Sequence, residues 1–257
     1  IAAAKFASRP AKGQRGFYID PTLTGLAPWL YAANGKIFDD EVNPTALAFG
    51  SEETNTALDT LLPVLRRQRY TLTAEQLAQD TPLGWFEKGQ LGMIVGDRSL
   101  VPRLRAEPTL NWDVMPIPSI EQSATTGEGT ALCMSADAPA EEAADLLAHL
   151  ISKESEARIA REGYLVPTSA TAIESDDFLQ PGRLPANGRA FTRSIRQIEW
   201  AYTRYVTPEL VSAVQPGIDQ LLHATLPDVE EITAQMDTSG SLAWTPPAAE
   251  SEGTPSP

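Results

Sequence analysis

TPLGWFEKGQLGMIVGDRSLVPRLRAEPTLNWDVMPIP, residues 81–118, carries more structural information than any other stretch of this chain. It opens amphipathic and turns at Gly89. The short apolar run at residues 91–95 is too brief for a helix and reads as a buried strand. The crest Gly96-Asp97-Arg98 follows, and then a second extended run at residues 112–117 that ends in the alternating prolines Pro116 and Pro118.

Outward from this stretch, residues 16–20 and 131–134 are further short apolar runs bounded by Gly or polar residues, again of strand type. Between them lie helical periods. Residues 52–67 place Leu58, Leu61, Leu62 and Leu65 on one stripe, with Pro63 expected to kink the helix or shift its start. Asp137, Pro139 and the pair Glu141-Glu142 mark a helix start, followed by a stripe of Ala143, Leu146, Leu147 and Leu150. A second helix runs from near Ser152 to Gly163, a residue suited to a left-handed C-terminal cap. Thr207-Pro208-Glu209 caps a helix carrying Leu210, Val214, Ile218, Leu221 and Leu222, which Pro216-Gly217 is expected to bend or break. Asp228 and Glu231 start a last short helix, and after Met236 the periodicity fades. Strands separated by helices predict an α/β layer arrangement with helices covering a sheet.

The chain has 257 residues, 42% of them hydrophobic and 21% charged, enough for a sizeable core in one or two domains. A net charge of -14 argues against nucleic acid, because a phosphate-binding surface needs clustered Lys and Arg to displace counterions. No apolar run is long enough to cross a bilayer. The single Cys133, among Ala131, Leu132 and Met134, excludes an internal disulfide and reads as a small buried apolar residue rather than a nucleophile.

The order of elements in 81–118 resembles the extracellular solute-binding proteins of sugar ABC importers, the maltose-binding superfamily. Phe86, Gly89, Met93, Gly96, Arg98, Trp112, Asp113, Val114, Pro116 and Pro118 carry the likeness. Gly92 and Ser99 depart from it, standing where the family has Ala and an aromatic that often stacks on sugar. The resemblance implies a type II periplasmic-binding-protein-like α/β fold, mostly the C-terminal lobe plus the crossover segment of the N-terminal lobe. It divides the chain into a leader or linker remnant (1–15), lobe two (16–111 and 171–236), a lobe-one return segment (112–170), and a disordered Pro/Ser/Thr-rich tail (237–257). It also implies that residues 112–170 need a covering N-terminal segment or partner chain.

By the same resemblance the function is non-catalytic binding of a solute, a sugar, for an ABC permease, by hinge closure of two lobes in an extracytoplasmic, membrane-tethered protein. The alternative is a degenerate sensor or scaffold domain of a larger membrane-tethered protein. Ligand-binding residues on this reading are Thr24, Trp29, Arg98, Gly127, Gly129, Arg204 and Tyr205. Sugar recognition needs flat apolar faces for the ring and guanidinium, hydroxyl or amide groups for its hydroxyls. Arg98 matches the ligand-loop Arg and is expected to open onto the interlobe crevice, with a surface ion pair to Asp97 or Glu107 as the competing role. Trp29 can stack on a sugar but reads by its setting more as a helix-face core residue, and Trp200 and Tyr202 read as packing residues. Gly127-Glu128-Gly129 resembles a Gly-rich turn before a strand; as a dinucleotide fingerprint it fails at Leu132.

Enzymatic readings lack residues. His149 and His223 have no metal-ligand spacing, so no metal or cofactor is expected. Neither a G-x-S-x-G elbow nor a phosphate-binding G-x-x-x-x-G-K-[ST] loop occurs. The acidic pairs Asp39-Asp40, Glu52-Glu53 and Asp176-Asp177 are sequence neighbours that point apart.

Overall fold

A computed structural model describes residues 7–67 and 69–247. Helices dominate: α1 (Leu23–Ala32), α2 (Glu52–Leu65), α3 (Ala74–Gln79), α4 (Pro82–Glu87), α5 (Val101–Arg105), α6 (Ala140–Leu150), α7 (Lys153–Glu162), α8 (Asp176–Leu179), α9 (Arg189–Ser194), α10 (Trp200–Tyr205), α11 (Pro208–His223) and α12 (Val229–Ala243). Most begin at a residue whose side chain accepts from a free first-turn amide. Thr22, Ser51, Ser152, Thr207 and Asp228 do this for α1, α2, α7, α11 and α12. Gly163 closes α7 in the left-handed region at φ 87, as its position in the sequence suggests.

The main core forms where α1, α2, α11 and α12 meet. Leu23, Ala27, Leu30 and Tyr31 of α1, Leu58, Leu61 and Leu62 of α2, and Leu210, Val214, Ile218 and Leu221 of α11 are all buried together. Ile232 and Met236 of α12 close it. Phe38 and Trp244 are added from outside the helices, with ring centroids 5.2 Å apart. A smaller cluster holds Val101, Leu104 and Trp112 against Phe86, Leu100 and Phe191.

The expected strands are represented by isolated bridges among the described residues. Arg15 pairs with Leu91 and Tyr18 with Ile94, both parallel, so the runs at 16–20 and 91–95 lie side by side in the register their patterns allow. This parallel pair draws Arg15 of the expected leader into the fold; residues 1–6 lie outside the described residues. Thr125 and Ile198 form another parallel bridge. Residues 112–117 make no bridge, so the strand expected there does not form; Trp112 is buried, Met115 is exposed, and Asn187 Nδ2 donates to the Val114 carbonyl at 2.9 Å. Residues 131–134 have no pairing and are exposed, so no strand forms there and Cys133 is on the surface rather than buried.

Three helix expectations need correction. Pro216-Gly217 does not break α11, which runs unbroken to His223. Gly217 is the contact point with α12: a Cβ there would lie 2.3 Å from Met236 Cγ, so the missing side chain lets the two helices close. Pro63 falls in the last turn of α2 and does not shift its start, which stays at Glu52; the helix ends at Leu65. Structure also does not fade after Met236. α12 continues to Ala243, Asp237 accepts the Phe49 and Gly50 amides at 2.8 and 2.7 Å, and Trp244 is buried. The remainder of the expected tail, 248–257, lies outside the described residues.

The stripe on α6 forms as expected but faces outward. None of its residues is buried, and Leu146 and Leu150 are exposed. Met115, Leu132, Met134, Ile151, Tyr164 and Leu165 are exposed in the same part of the chain, a concentration of apolar surface that soluble folds normally cover. The expected result is bright fluorescence of an apolar dye with the native chain. Placing charges at Leu146 and Leu150 should reduce it without lowering Tm; an unchanged signal would show that the dye binds elsewhere.

Candidate functional site

Four segments distant in sequence meet around α10. From α1, Thr24 Oγ1 accepts from Tyr202 Oη at 2.9 Å. The turn at 39–46 is tied on by Tyr205 Oη, which donates to the Val42 carbonyl at 2.7 Å. The extended segment at 125–127 is held by Thr125 N to the Gln197 carbonyl and Glu199 N to the Thr125 carbonyl, each 2.8 Å, and by the Thr203 hydroxyl on the Gly127 carbonyl. Trp244 Nε1 donates to the Tyr205 carbonyl at 2.9 Å and fixes the C-terminal end of α10.

Asp39 shapes the turn that carries Glu41. Its carboxylate accepts from Thr45 Oγ1 at 2.5 Å and from the amides of Asp40, Thr45 and Ala46. Desolvation raises its pKa, but these hydrogen bonds outweigh it and hold the value to about 2. Asp40 caps the same turn through the Val42 and Asn43 amides.

Inside this frame lie buried polar atoms without protein partners among the described residues. Tyr31 is 2% exposed, and its hydroxyl makes no hydrogen bond. Glu41 Oε2 and Trp29 Nε1 are likewise buried and unbonded. Burial, and then the charges of Glu41 and Glu199, push the Tyr31 hydroxyl far up. Glu41 is raised to about 7 by desolvation, with Glu199 and Asp40 adding to the rise and Lys36 opposing it. Glu199, which precedes α10, is raised by burial. An unmade hydrogen bond in a buried setting costs about 1–3 kcal/mol, so these groups stand out from the rest of the core.

For Glu41 the sign follows from its raised value. The folded state holds the proton more tightly than the free carboxyl at 4.5, so the stability linked to this group is fully present below 4.5 and is lost as pH rises through about 7. Glu41→Gln should therefore gain stability relative to the parent between about pH 5 and pH 8, measured as the difference in Tm. A difference that stays flat across that interval would mean that Glu41 is not held in a desolvated, acidic setting.

The residues expected to bind ligand distribute as follows. Thr24, Gly127 and Tyr205 join the α10 group directly. Arg204 and Tyr205 also line a depression of about 420 Å³ with Thr207, Glu209 and Trp244. Trp29 is half-buried against the main core. Gly129 is exposed, and a Cβ at that position would meet nothing within 4 Å. Arg98 is placed elsewhere. It is 3% exposed, donates to the Phe178 carbonyl at 3.0 Å, and lies over the Phe178 ring at 3.9 Å and the Phe191 ring at 5.5 Å. Instead of opening onto a crevice, its guanidinium is enclosed by aromatic rings, and burial followed by the neighbouring Arg105 lowers its pKa to about 10.

Sequence reasoning did not single out Tyr31, Glu41 or Glu199, and it assigned Tyr202 to packing. No local signal marks the first three, since they are separated in sequence and meet only in the fold. Among the described residues no group of His, Cys, Asp and Glu is arranged to hold a metal ion. Nor is any described helix long and apolar enough to cross a membrane.

The family profile for bacterial extracellular solute-binding proteins matches residues 1–186. The chain belongs to that family. A comparison with curated protein sequences found no match. Among solved structures, the ABC substrate-binding protein Lmo0181 from Listeria monocytogenes, in complex with cycloalternan, is similar at 18% identity and TM-score 0.72, over 94% of this chain and 61% of that one. The GacH receptor of Streptomyces glaucescens is similar at 16% identity and TM-score 0.69, over 95% of this chain and 62% of that one. An ABC transporter solute-binding protein from Thermotoga lettingae, bound with alpha-D-tagatose, is similar at 19% identity and TM-score 0.67, over 94% and 62%. The likeness establishes the periplasmic-binding-protein-like fold of type II, even though few residues here sit in paired strands. The chain spans somewhat over three-fifths of the length of these proteins.

Proposed function

We propose that this chain binds a saccharide, without transforming it, as the solute receptor of an ABC importer acting outside the cytoplasm. The observation that carries the reading is the convergence of Thr24, Val42 and Gly127 on α10, through Tyr202, Tyr205 and Thr203, with the buried Tyr31 hydroxyl of α1 unbonded. Hydroxyls, a backbone carbonyl, a carboxylate and aromatic rings gathered around one helix form the set that a polyhydroxylated ring needs. Family membership supports it, as do the saccharides named with similar structures, among them cycloalternan, maltotetraose and maltotriose.

On this proposal residues 16–111 and 171–236 form one lobe, and residues 112–170 belong to the other. The exposed apolar side chains between Met115 and Leu165 are the face by which that return segment packs in its own lobe. Closure of the lobes then follows from contacts the ligand makes to both, since a ligand shifts a conformational equilibrium only by its differential affinity. Arg98 holds Phe178 and Phe191 together, away from the α10 group.

Thermal unfolding with a panel of mono- and oligosaccharides tests the binding. A true ligand at a hundred times its Kd stabilises by about 2.7 kcal/mol and raises Tm saturably. No shift with any saccharide, in a chain that unfolds cooperatively, would favour the sensor or scaffold alternative.

A further inference from the structure

Helix α10 is six residues long, too short to hold itself, so its position is set by ties from other segments. Three of these run from its side chains: Tyr202 Oη to Thr24 Oγ1 at 2.9 Å, the Thr203 hydroxyl to the Gly127 carbonyl, and Tyr205 Oη to the Val42 carbonyl at 2.7 Å. The fourth comes from beyond α12. A helix leaves its last carbonyls without donors of its own, and the Tyr205 carbonyl receives Trp244 Nε1 at 2.9 Å.

Trp244 is itself held firmly. Its amide donates to the Gly240 carbonyl at 2.9 Å, and its ring lies 5.2 Å from Phe38, which is fully buried and meets the Tyr205 ring edge-on at 5.9 Å. Trp244 thus reaches Tyr205 by two routes, directly at the carbonyl and through the shared Phe38 ring. Tyr205 and Trp244 also lie together on the wall of the depression of about 420 Å³. Through the Tyr205 hydroxyl the same contact governs the turn at 39–46, which that hydroxyl ties on. Resting on the carbohydrate reading above, we infer that Trp244 is a positioning residue of the saccharide site: its indole N–H fixes Tyr205, and with it α10 and the turn at 39–46, in the arrangement that receives the sugar. Without that fix the ligand must order these groups itself, and the cost shows as weaker binding.

Trp244→Phe separates this role from core packing, since it keeps an aromatic ring against Phe38 and removes the N–H donor. Calorimetric titration uses the tightest binder among maltotriose, maltotetraose, cycloalternan and D-tagatose. Trp244→Phe should bind it about fivefold or more weakly, the scale of one lost hydrogen bond. Leu104→Val, in the separate cluster of Val101, Leu104 and Trp112, is the comparison for general loosening of the core and should bind as the parent does. Coupling of this kind is reciprocal, so the bound saccharide should slow exchange of the Trp244 indole N–H in the native chain about fivefold more than that of Trp112. Parent-like affinity of Trp244→Phe, or an equal loss in Leu104→Val, overturns the inference and leaves the carbohydrate reading intact. If Trp244→Phe does not fold, the native chain decides: equal slowing at Trp244 and Trp112 overturns the inference. Binding of none of these saccharides by the native chain defeats both.

Discussion

Trp244→Ala should cost about 3–5 kcal/mol of unfolding free energy, the range for removing a large buried aromatic side chain. The residue lies at the end of α12, 7% exposed, with its ring against Phe38 and its indole N–H on the Tyr205 carbonyl. Three losses combine: apolar area, the ring contact, and a donor to an otherwise half-buried carbonyl. Phe38 shares the contact and meets Tyr205 edge-on at 5.9 Å, so the Phe38→Ala and Trp244→Ala effects should add to less than their sum. Urea denaturation of the two single variants and the double variant measures this. A Trp244→Ala cost below about 1 kcal/mol would mean that the C-terminal residues are not part of the core.

Gly25→Val is the second large effect. Gly25 lies in the first turn of α1, and its amide donates to Thr22 Oγ1 at 3.2 Å. A Cβ there would sit 2.2 Å from the Asp20 carbonyl oxygen, a backbone atom that cannot swing aside. Overpacking of this kind costs about 1–3 kcal/mol, and the backbone obstacle puts Gly25→Val at the upper end. Because Thr24 and Tyr31 ride on the same helix, saccharide affinity should fall with stability. Gly129→Ala is the control: open space surrounds the site, and its stability should stay within about 0.5 kcal/mol of the parent. Equal behaviour of the two variants would contradict the position of α1 against residues 20–22.

The helices were legible because their signals are local. A cap such as Ser152 or Thr207 acts on amides within the next turn, and the stripe of Leu210, Val214, Ile218 and Leu221 lies on one face by period alone. The end of α12 was not legible, because Gly240 continues its buried face where a periodicity reading looks for a large apolar residue. A Cβ at Gly240 would lie 2.5 Å from Leu47 Cδ1, so closeness of packing replaces hydrophobicity as the cause. The strand runs at 16–20 and 91–95 were found, and they pair with one another; residues 131–134 have the same composition but no neighbouring strand, and pairing is a property of two segments.

The site was half legible. Thr24, Gly127 and Tyr205 follow from the family resemblance, and hydrogen bonds bring them to one helix. Tyr31 reads as one more apolar position of α1, and only the fold shows that its hydroxyl ends beside Glu41 and Glu199 without a partner. For Arg98 the motif gives the residue type but not its direction, which is decided by Phe178 and Phe191 from distant segments.

Hydrogen–deuterium exchange of the chain, with and without a bound saccharide, tests the central claim most directly. Protection centred on residues 22–45, 125–128 and 197–206 is the result expected of a ligand seated between α1, the Glu41 turn, the segment at 125–127 and α10. Protection centred instead on residues 96–105 and 178–191, around Arg98, would contradict it.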